Sequence, residues 1–302
     1  MSRSPRRWIP EAFWFVTVRC VRSEYRLRPD HERKELVGHW LARAQRRHPG
    51  VRLIAGVQMS NHLHLLVQDR WGELSGFMEY ALGHLAKDLN RLDGVRGPVF
   101  ERRFTPIATL DEQALLDRIA YTLTNPMAAG LVRHPNDWPG LLLVGRGPGQ
   151  PTRTSFRRLR RTEFEQARQR ARRFRLEPPC RKDFLEEADL ELELPEGIES
   201  HHVQSRTDER IARLKAERNG LPALGRRRVL QLSPFERPRQ TKRSPRPLCH
   251  ASSREMWLAY LDGWRRFLSR YRESSKLFRS GFMSVLFPEY SYRPPMRVTG
   301  AP

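Results

Sequence analysis

The sequence predicts an α+β fold in which helices pack against an antiparallel sheet. Three observations support this class: short runs of aromatic and β-branched residues, longer segments with apolar residues at helical spacing, and the alternation of the two along residues 13–124. The chain has 302 residues, of which 38% are hydrophobic, and this content is enough for a packed core. A protein that is disordered throughout is therefore excluded.

The elements of the first half follow in the order β-α-β-β-α-β-α. Strands are predicted over residues 13–18, 51–59, 62–67 and 104–109, with the second and third strands forming a hairpin. Helices are predicted over residues 31–47, 73–91 and 111–124, with Asp111 or a neighbour as the N-cap of the last one and Asn125-Pro126 as its end. This order predicts a ferredoxin-like antiparallel sheet with helices on one face.

The second half is less regular and more basic. A Gly- and Pro-rich segment over residues 145–151 predicts a boundary between a first domain, residues 1–147, and a basic accessory region, residues 148–302. The accessory region is predicted to be mainly helical with disordered linkers. Its predicted features are an Arg-rich helix over 156–175, an acidic stretch over 186–199, helices over 208–218 and 256–271, and an extended or mobile segment over 233–252.

The charge of the chain limits the kinds of partner. Lys and Arg number 56 and Asp and Glu 34, so the formal net charge is 56 − 34, or +22. An excess of this size favours a polyanionic partner, nucleic acid first and an anionic membrane surface second. No apolar run approaches the length that spans a bilayer, so a transmembrane protein is excluded. Between the two polyanions, nucleic acid is the expected partner and a membrane is not.

The cysteines and the N-terminus indicate the compartment. Cys20, Cys180 and Cys249 are far apart in sequence, which excludes a zinc finger and a disulfide framework. The first residues lack the apolar stretch of a secretory signal. Together these features predict a reducing, cytoplasmic location.

Two histidines on the third predicted strand are the sharpest chemical signal. Because side chains alternate along a strand, His62 and His64 project from one face while Leu63 and Leu65 point into a core. Two adjacent imidazoles on a rigid strand are suitable ligands for a divalent metal ion. The alternative is that they are ordinary histidines on a half-exposed strand.

Tyr121 and Asn125 form a second signal on the last predicted helix. Residues four apart share one side of a helix, a phenol can act as a nucleophile, and an amide oxygen is a hard ligand that suits magnesium or manganese. The alternative is that Tyr121 is a packing aromatic residue and Asn125 ends the helix before a proline.

The two signals fit one reaction. A metal ion bound by His62, His64 and the oxygen of Asn125 would lie near the hydroxyl of Tyr121. Such an ion draws charge from a phosphate and positions it for in-line attack. Attack by the phenol on a phosphodiester conserves the energy of the bond, so strand transfer can follow without ATP.

Several blocks of the sequence, in order, resemble a known family. The blocks are residues 13–18 (FWFVTV), 59–67 (MSNHLHLLV), 97–104 (GPVFERRF), 119–132 (IAYTLTNPMAAGLV) and 137–139 (DWP). The chain resembles the single-tyrosine HUH transposases, and most closely the REP-associated tyrosine transposases of bacteria. The resemblance covers about residues 8–140. One departure is Ser60, where relatives usually have proline, but this change removes no ligand.

The resemblance implies a fold, a reaction and a set of roles. It implies a ferredoxin-like fold, a Mg²⁺ or Mn²⁺ ion, and cleavage of single-stranded DNA at hairpin-bearing ends through a 5′-phosphotyrosine that leaves a 3′-hydroxyl. His62 and His64 correspond to the metal ligands of the family, Tyr121 to its nucleophile, and Asn125 to the position that supplies a further ligand. The implied partner is hairpin-bearing single-stranded DNA in the bacterial cytoplasm, in association with the nucleoid.

Some alternatives remain open at this stage. Arg102 and Arg103 are candidates for contacts to the DNA backbone, and a solvated pair is the alternative. A domesticated relative that binds hairpin DNA or RNA without cleaving it is a second candidate function, and a protein that binds anionic membrane surfaces is a third. The sequence does not decide between a monomer and a homodimer, nor does it reveal the recognised DNA.

Overall fold

The computed structural model describes residues 5, 7–101, 103–238 and 247–291. Its strands are β1 (Phe13–Arg19), β2 (Val51–Gln58), β3 (His62–Asp69), β4 (Thr105–Thr109), β5 (Leu142–Val144), β6 (Thr152–Leu159), β7 (Leu185–Leu192) and β8 (Cys249–His250). Its α-helices are α1 (His31–Arg47), α2 (Leu74–Asp93), α3 (Glu112–Ala128), α4 (Arg161–Phe174), α5 (Ser200–Glu217), α6 (Arg226–Gln231) and α7 (Arg254–Arg279). Every element predicted for residues 13–124 is confirmed.

The described strands join in one eight-stranded sheet. Its order is β6-β7-β2-β3-β1-β4-β8, and β5 also pairs with β2. In the centre, β1 lies antiparallel to β3 and β4, and β2 lies antiparallel to β3 as the predicted hairpin. The predicted α+β class, with an antiparallel central sheet and a helical C-terminal region, is confirmed.

The two faces of the sheet carry separate helical layers. Trp14 and Val16 of β1 pack in a core cluster with residues of α1 and α2. Phe15 points to the other face, where it clusters with Ile119 of α3 and Val203 of α5. Helices α1 and α2 therefore share one face, as predicted, and the structure adds a second helical layer over the face that carries His64, which stacks on Phe15.

Helix α3 begins as predicted and ends later than predicted. Asp111 is its N-cap, because its side chain accepts a hydrogen bond from the backbone N–H of Ala114 at 2.8 Å. The helix continues through Pro126 to Ala128 instead of stopping at residue 124. A proline removes one helical hydrogen bond, and this loss is tolerated so close to the helix end. The extension keeps Asn125 helical.

The accessory region contains strands that the sequence reasoning missed. The predicted helix over residues 156–175 is wrong in its first part, where β6 precedes α4. Strand β6 pairs with β7, which forms from the predicted acidic stretch, and charged side chains oppose each other in the pairs Arg153–Glu191 and Arg157–Glu187. Cross-strand charge pairs of this kind stabilise a sheet, so strand pairing prevails over the weak helical preference of arginine.

The later helices are longer than predicted. Helix α5 begins at residue 200 rather than 208, and α7 extends over residues 254–279 rather than 256–271. Part of the segment predicted to be extended, residues 239–246, lies outside the described residues.

Residues after 147 contact the first half through strand pairing, helix packing and ion pairs such as Arg43–Glu186 and Arg158–Asp88. Leu192 of β7 pairs with Leu53 of β2, and Cys249 of β8 pairs with Ala108 of β4, so each edge of the central sheet gains strands. Helix α5 packs on α3 through a buried cluster that includes Met127. The boundary at residue 147 stays a prediction. Among the described residues, no helix combines the length and the apolar character needed to cross a bilayer.

Candidate active site

His62 and His64 lie on β3 and project toward the layer formed by α3. Their ring centroids are 4.6 Å apart. Leu63 and Leu65 point into the opposite core, where they are 2% and 0% exposed. The ring of His64 is 4% exposed and stacks on Phe15 at 4.8 Å, whereas His62 is half-buried. The alternation along β3 therefore brings the two imidazoles together, as the sequence predicted.

Hydrogen bonds orient both rings. Nδ1 of His62 lies 2.7 Å from Oδ1 of Asn61. The amide of Asn61 is itself fixed, because its Nδ2 donates to the backbone carbonyl of Ser23 at 3.2 Å. Since Oδ1 can only accept, Nδ1 of His62 carries the proton and Nε2 keeps the lone pair. Nδ1 of His64 lies 3.0 Å from Oγ1 of Thr17, which fixes the second ring.

Both imidazoles are neutral near pH 7. Burial lowers the pKa of His62 to about 3, with a further contribution from the charge of Arg19. Burial also lowers the pKa of His64 well below its ordinary value, and the charges of His62 and Arg19 lower it further. A neutral imidazole offers the lone pair that a metal ion requires.

Tyr121 of α3 lies beside this pair. Its ring centroid is 5.9 Å from that of His64 and 5.8 Å from that of Phe15, in both cases with an edge contact. The side chain of Tyr121 is half-buried, so part of it remains accessible to solvent. The structure thus brings the predicted nucleophile next to one of the two predicted metal ligands.

Asn125 lies one helical turn after Tyr121 and is 7% exposed. The segment that follows α3 contributes Val132 to a cluster with Val57 and Met59. Val57 is the pairing partner of His64, and the backbone N–H of Met59 donates to the carbonyl of His62. The segment that follows α3 therefore packs beside β2 and the turn that precedes β3, and among the described residues no hydrogen bond or ring contact joins the side chain of Asn125 to either histidine.

The chemical types of the three predicted ligands suit a small divalent cation. No group of three or more His, Cys, Asp and Glu side chains among the described residues could hold a metal ion. The candidate set differs in type, because it combines two imidazoles with an amide oxygen. The rings of His62 and His64 are close enough for one ion to bind a nitrogen of each, and Asn125 would supply the oxygen that Mg²⁺ and Mn²⁺ favour.

The two predicted DNA-binding arginines lie apart from this arrangement. Arg102 falls outside the described residues. Arg103 is exposed and lies two residues before β4. Within the described part of the chain, no hydrogen bond, ion pair or ring contact joins Arg103 to the histidine pair or to Tyr121.

Sequence reasoning missed three residues that surround Tyr121 and Phe15. Arg118 and Arg210 lie over the ring of Tyr121. The ring of His250 lies 5.6 Å from that of Phe15, and burial, together with the charge of Arg118, lowers the pKa of His250 to about 4. Helical spacing from Tyr121 could have identified Arg118. Arg210 and His250 carry no such signal, because they are distant in sequence.

Comparisons with known proteins give two structural likenesses. No protein-family model matches the chain, and no curated protein matches it in sequence. The chain is similar to a solved REP-associated tyrosine transposase bound to a REP hairpin, at 21% identity, over 46% of this chain and 81% of that chain, with a TM-score of 0.37. It is also similar to tRNA(His) guanylyltransferase from Saccharomyces cerevisiae, at 9% identity, over 43% of this chain and 64% of that chain, with a TM-score of 0.33.

Proposed function

We propose that this chain is a metal-dependent transposase that cleaves and rejoins single-stranded DNA at hairpin-bearing sites, with Tyr121 as the nucleophile. The observation that carries the proposal is the position of Tyr121, whose ring lies 5.9 Å from His64 in a pair of adjacent, neutral imidazoles. The ordered sequence blocks and the net charge of +22 support a DNA substrate.

The reaction follows from the groups present. Oη of Tyr121 attacks the phosphorus of a phosphodiester, the bond from phosphorus to the 3′-oxygen breaks, and the phenol proton is released to solvent. The departing 3′-oxygen takes up a proton and becomes a 3′-hydroxyl, while the 5′-phosphate stays on Tyr121. A 3′-hydroxyl of another strand reverses these steps, which rejoins DNA and frees the phenol.

The remaining residues hold and orient the reacting groups. His62, His64 and Asn125 would hold Mg²⁺ or Mn²⁺, which supplies electrostatic stabilisation of the phosphate. Asn61 and Thr17 fix the two imidazole rings through their Nδ1 atoms. The packing of Tyr121 against Phe15 limits the positions that its hydroxyl can reach.

The direct test is the substitution Tyr121→Phe in the full chain. We expect the wild-type protein, with Mn²⁺ and a single-stranded hairpin oligonucleotide, to form a covalent adduct that survives denaturing electrophoresis. Tyr121→Phe should form none, because no nucleophilic oxygen remains, while it still binds the oligonucleotide. Tyr80→Phe is the matched control, since Tyr80 packs near Trp40 on the opposite side of the sheet.

Two results would contradict the proposal. An adduct that persists in Tyr121→Phe would remove the role of this residue. A wild-type chain that binds the hairpin tightly but never forms an adduct would favour the second candidate function, a hairpin-binding regulator without catalysis.

A further inference from the structure

Two arginines that the proposed reaction leaves unassigned lie over the ring of Tyr121. The guanidinium carbon of Arg118 is 4.9 Å from the ring centroid, and that of Arg210 is 5.2 Å from it. Arg118 precedes Tyr121 by three residues on α3, so the two share one side of the helix. Arg210 belongs to α5, in the second half of the chain. We call these two residues the arginine pair.

The position of Arg210 is fixed by packing and by a hydrogen bond. Ile211, the next residue on α5, is buried against Met127 of α3. Nε of Arg210 donates to Oγ1 of Thr124 at 2.9 Å, and the hydroxyl of Thr124 donates to the carbonyl of Ala120 at 2.7 Å. The guanidinium is therefore anchored through Nε, which leaves its terminal nitrogens to face other groups.

The arginine pair lacks carboxylate partners. Among the described residues, no Asp or Glu oxygen lies within 4.0 Å of either guanidinium, the distance that defines an ion pair. Arg206, one turn earlier on α5, differs in this respect, because it pairs with Asp117 at 2.8 Å and with Glu209 at 2.9 Å. Asp117 and Glu209 are thus already engaged by Arg206.

Burial is the largest electrostatic influence on the arginine pair. It lowers the pKa of Arg118, and the charge of Arg210 lowers it further, against opposing contributions from Tyr121 and Asp117. Burial likewise lowers the pKa of Arg210, and the charge of Arg213 adds to that effect, against opposing contributions from Tyr121, Glu217 and Asp117. Beside them lies a cavity of about 120 Å³, lined by these three arginines together with Arg206 and its carboxylate partners. Partly buried cations that lack a counter-ion are costly.

We infer that the arginine pair binds the phosphate that Tyr121 attacks and then holds the resulting phosphotyrosine ester. This inference rests on the proposed function and assigns it two further substrate-binding residues. A guanidinium fork binds two phosphate oxygens at once, and charge on these oxygens increases during the transfer. Because Arg210 comes from α5, the second half of the chain completes the site.

The first arm of the test measures binding without catalysis. The full-length wild-type protein, Arg118→Gln, Arg210→Gln and the control Arg266→Gln are titrated with a hairpin-bearing single-stranded oligonucleotide in EDTA at several salt concentrations. Loss of either member of the arginine pair should weaken binding about tenfold and reduce the salt slope of log K by about one. Arg266→Gln should stay within twofold, because its exposed charge is paired with Asp262 on α7, away from Tyr121.

The second arm measures the rate of adduct formation with Mn²⁺ at saturating oligonucleotide. Arg118→Gln and Arg210→Gln should be slower by about 100-fold, and Arg266→Gln should match the wild type. Arg210→Lys retains the charge but not the fork, so its rate should lie between those of the wild type and Arg210→Gln. Thermal unfolding should show a cooperative transition for Arg118→Gln and Arg210→Gln, which establishes that the variants compared are folded.

The outcomes separate the inference from the proposed function. Wild-type-like binding of Arg210→Gln and Arg118→Gln in EDTA would overturn the inference, as would an equal loss in Arg266→Gln, which would indicate a general charge effect. If the wild type forms no adduct, the proposed function fails, and the binding arm alone still decides whether the arginine pair contacts a phosphate.

Discussion

The side-chain amide of Asn61 links the loop after β1 to the ring of His62. It donates to the carbonyl of Ser23 at 3.2 Å, and its Oδ1 lies 2.7 Å from Nδ1 of His62. Because Oδ1 can only accept, this contact holds the proton on Nδ1 and leaves the lone pair on Nε2. Under the proposed function, Asn61 is a positioning residue for the predicted metal ligand His62.

At the scale of single residues, the substitution His62→Ala tests the candidate metal site. Adduct formation at low Mn²⁺ should fall at least about 100-fold, because one of three predicted ligands is lost, and higher Mn²⁺ should restore part of it. DNA binding in EDTA should stay close to that of the wild type, since a neutral imidazole contributes little to phosphate affinity. A Mn²⁺ titration of the adduct yield measures the effect.

His84→Ala is the matched control for that titration. His84 stacks on Trp40 on the opposite side of the sheet, so its loss should leave the Mn²⁺ dependence unchanged. An identical Mn²⁺ dependence in His62→Ala and the wild type would remove His62 from the metal site.

At the scale of elements, a buried ion-pair network ties α1 to the end of α2. Asp93, the last residue of α2, accepts from Arg26 at 2.7 Å and also from Arg33 in the first turn of α1. Arg26 and Arg33 are 4% and 3% exposed. This network fixes the layer that supports the face of the sheet opposite the candidate site.

Replacing Asp93 by Asn should destabilise the fold strongly. It leaves the buried guanidinium of Arg26 without a carboxylate partner and that of Arg33 with Asp30 alone, and breaking a buried ion pair costs about 3–5 kcal/mol. Urea unfolding, monitored by tryptophan fluorescence, measures the free energy of unfolding. Asp262→Asn is the control, because its pair with Arg266 on α7 is solvent-exposed and should contribute little. Equal stability of the two variants would contradict the role of this network.

At the scale of the whole molecule, a buried histidine makes stability depend on pH. His39 of α1 is 0% exposed, and burial lowers its pKa to about 4 despite the opposing charge of Glu186, whose carboxylate lies 3.7 Å from Nε2. Arg158 and Arg43 lower this pKa further. The folded protein thus binds a proton at His39 less readily than the unfolded chain does.

The free energy of unfolding should therefore fall as the pH falls from about 6.5 toward about 4. Above pH 6.5 the imidazole is neutral in both states, whereas below it the unfolded state takes up the proton first. The full effect of His39 is roughly 3 kcal/mol. Urea unfolding between pH 7 and pH 5 checks the direction, and His39→Gln should make the profile less steep. His62, His64 and His250, whose pKa values are also lowered by burial, account for the pH dependence that remains. A wild-type profile that is flat over this range would refute the prediction.

Local patterns in the sequence were sufficient for the centre of the fold and for part of the candidate site. Alternation on β3 places His62 and His64 on one face, and four-residue spacing places Tyr121 and Asn125 on one side of α3. Both relations depend only on backbone geometry within one element, so a single sequence contains them. Strand β6 was missed because its arginines favour a strand only when the acidic residues of β7 lie opposite them.

Only the tertiary structure showed which residues of different helices and strands contact one another. Arg118 and Arg210 reach the same phenol because Ile211 and Leu214 of α5 bury themselves against Met127 of α3. His250 approaches Phe15 because β8 pairs with β4 at the edge of the sheet. Burial of apolar surface drives these contacts regardless of distance along the chain. The sequence alone therefore determined which residues lie together on each helix and strand. Packing determined which residues of different helices and strands share a site.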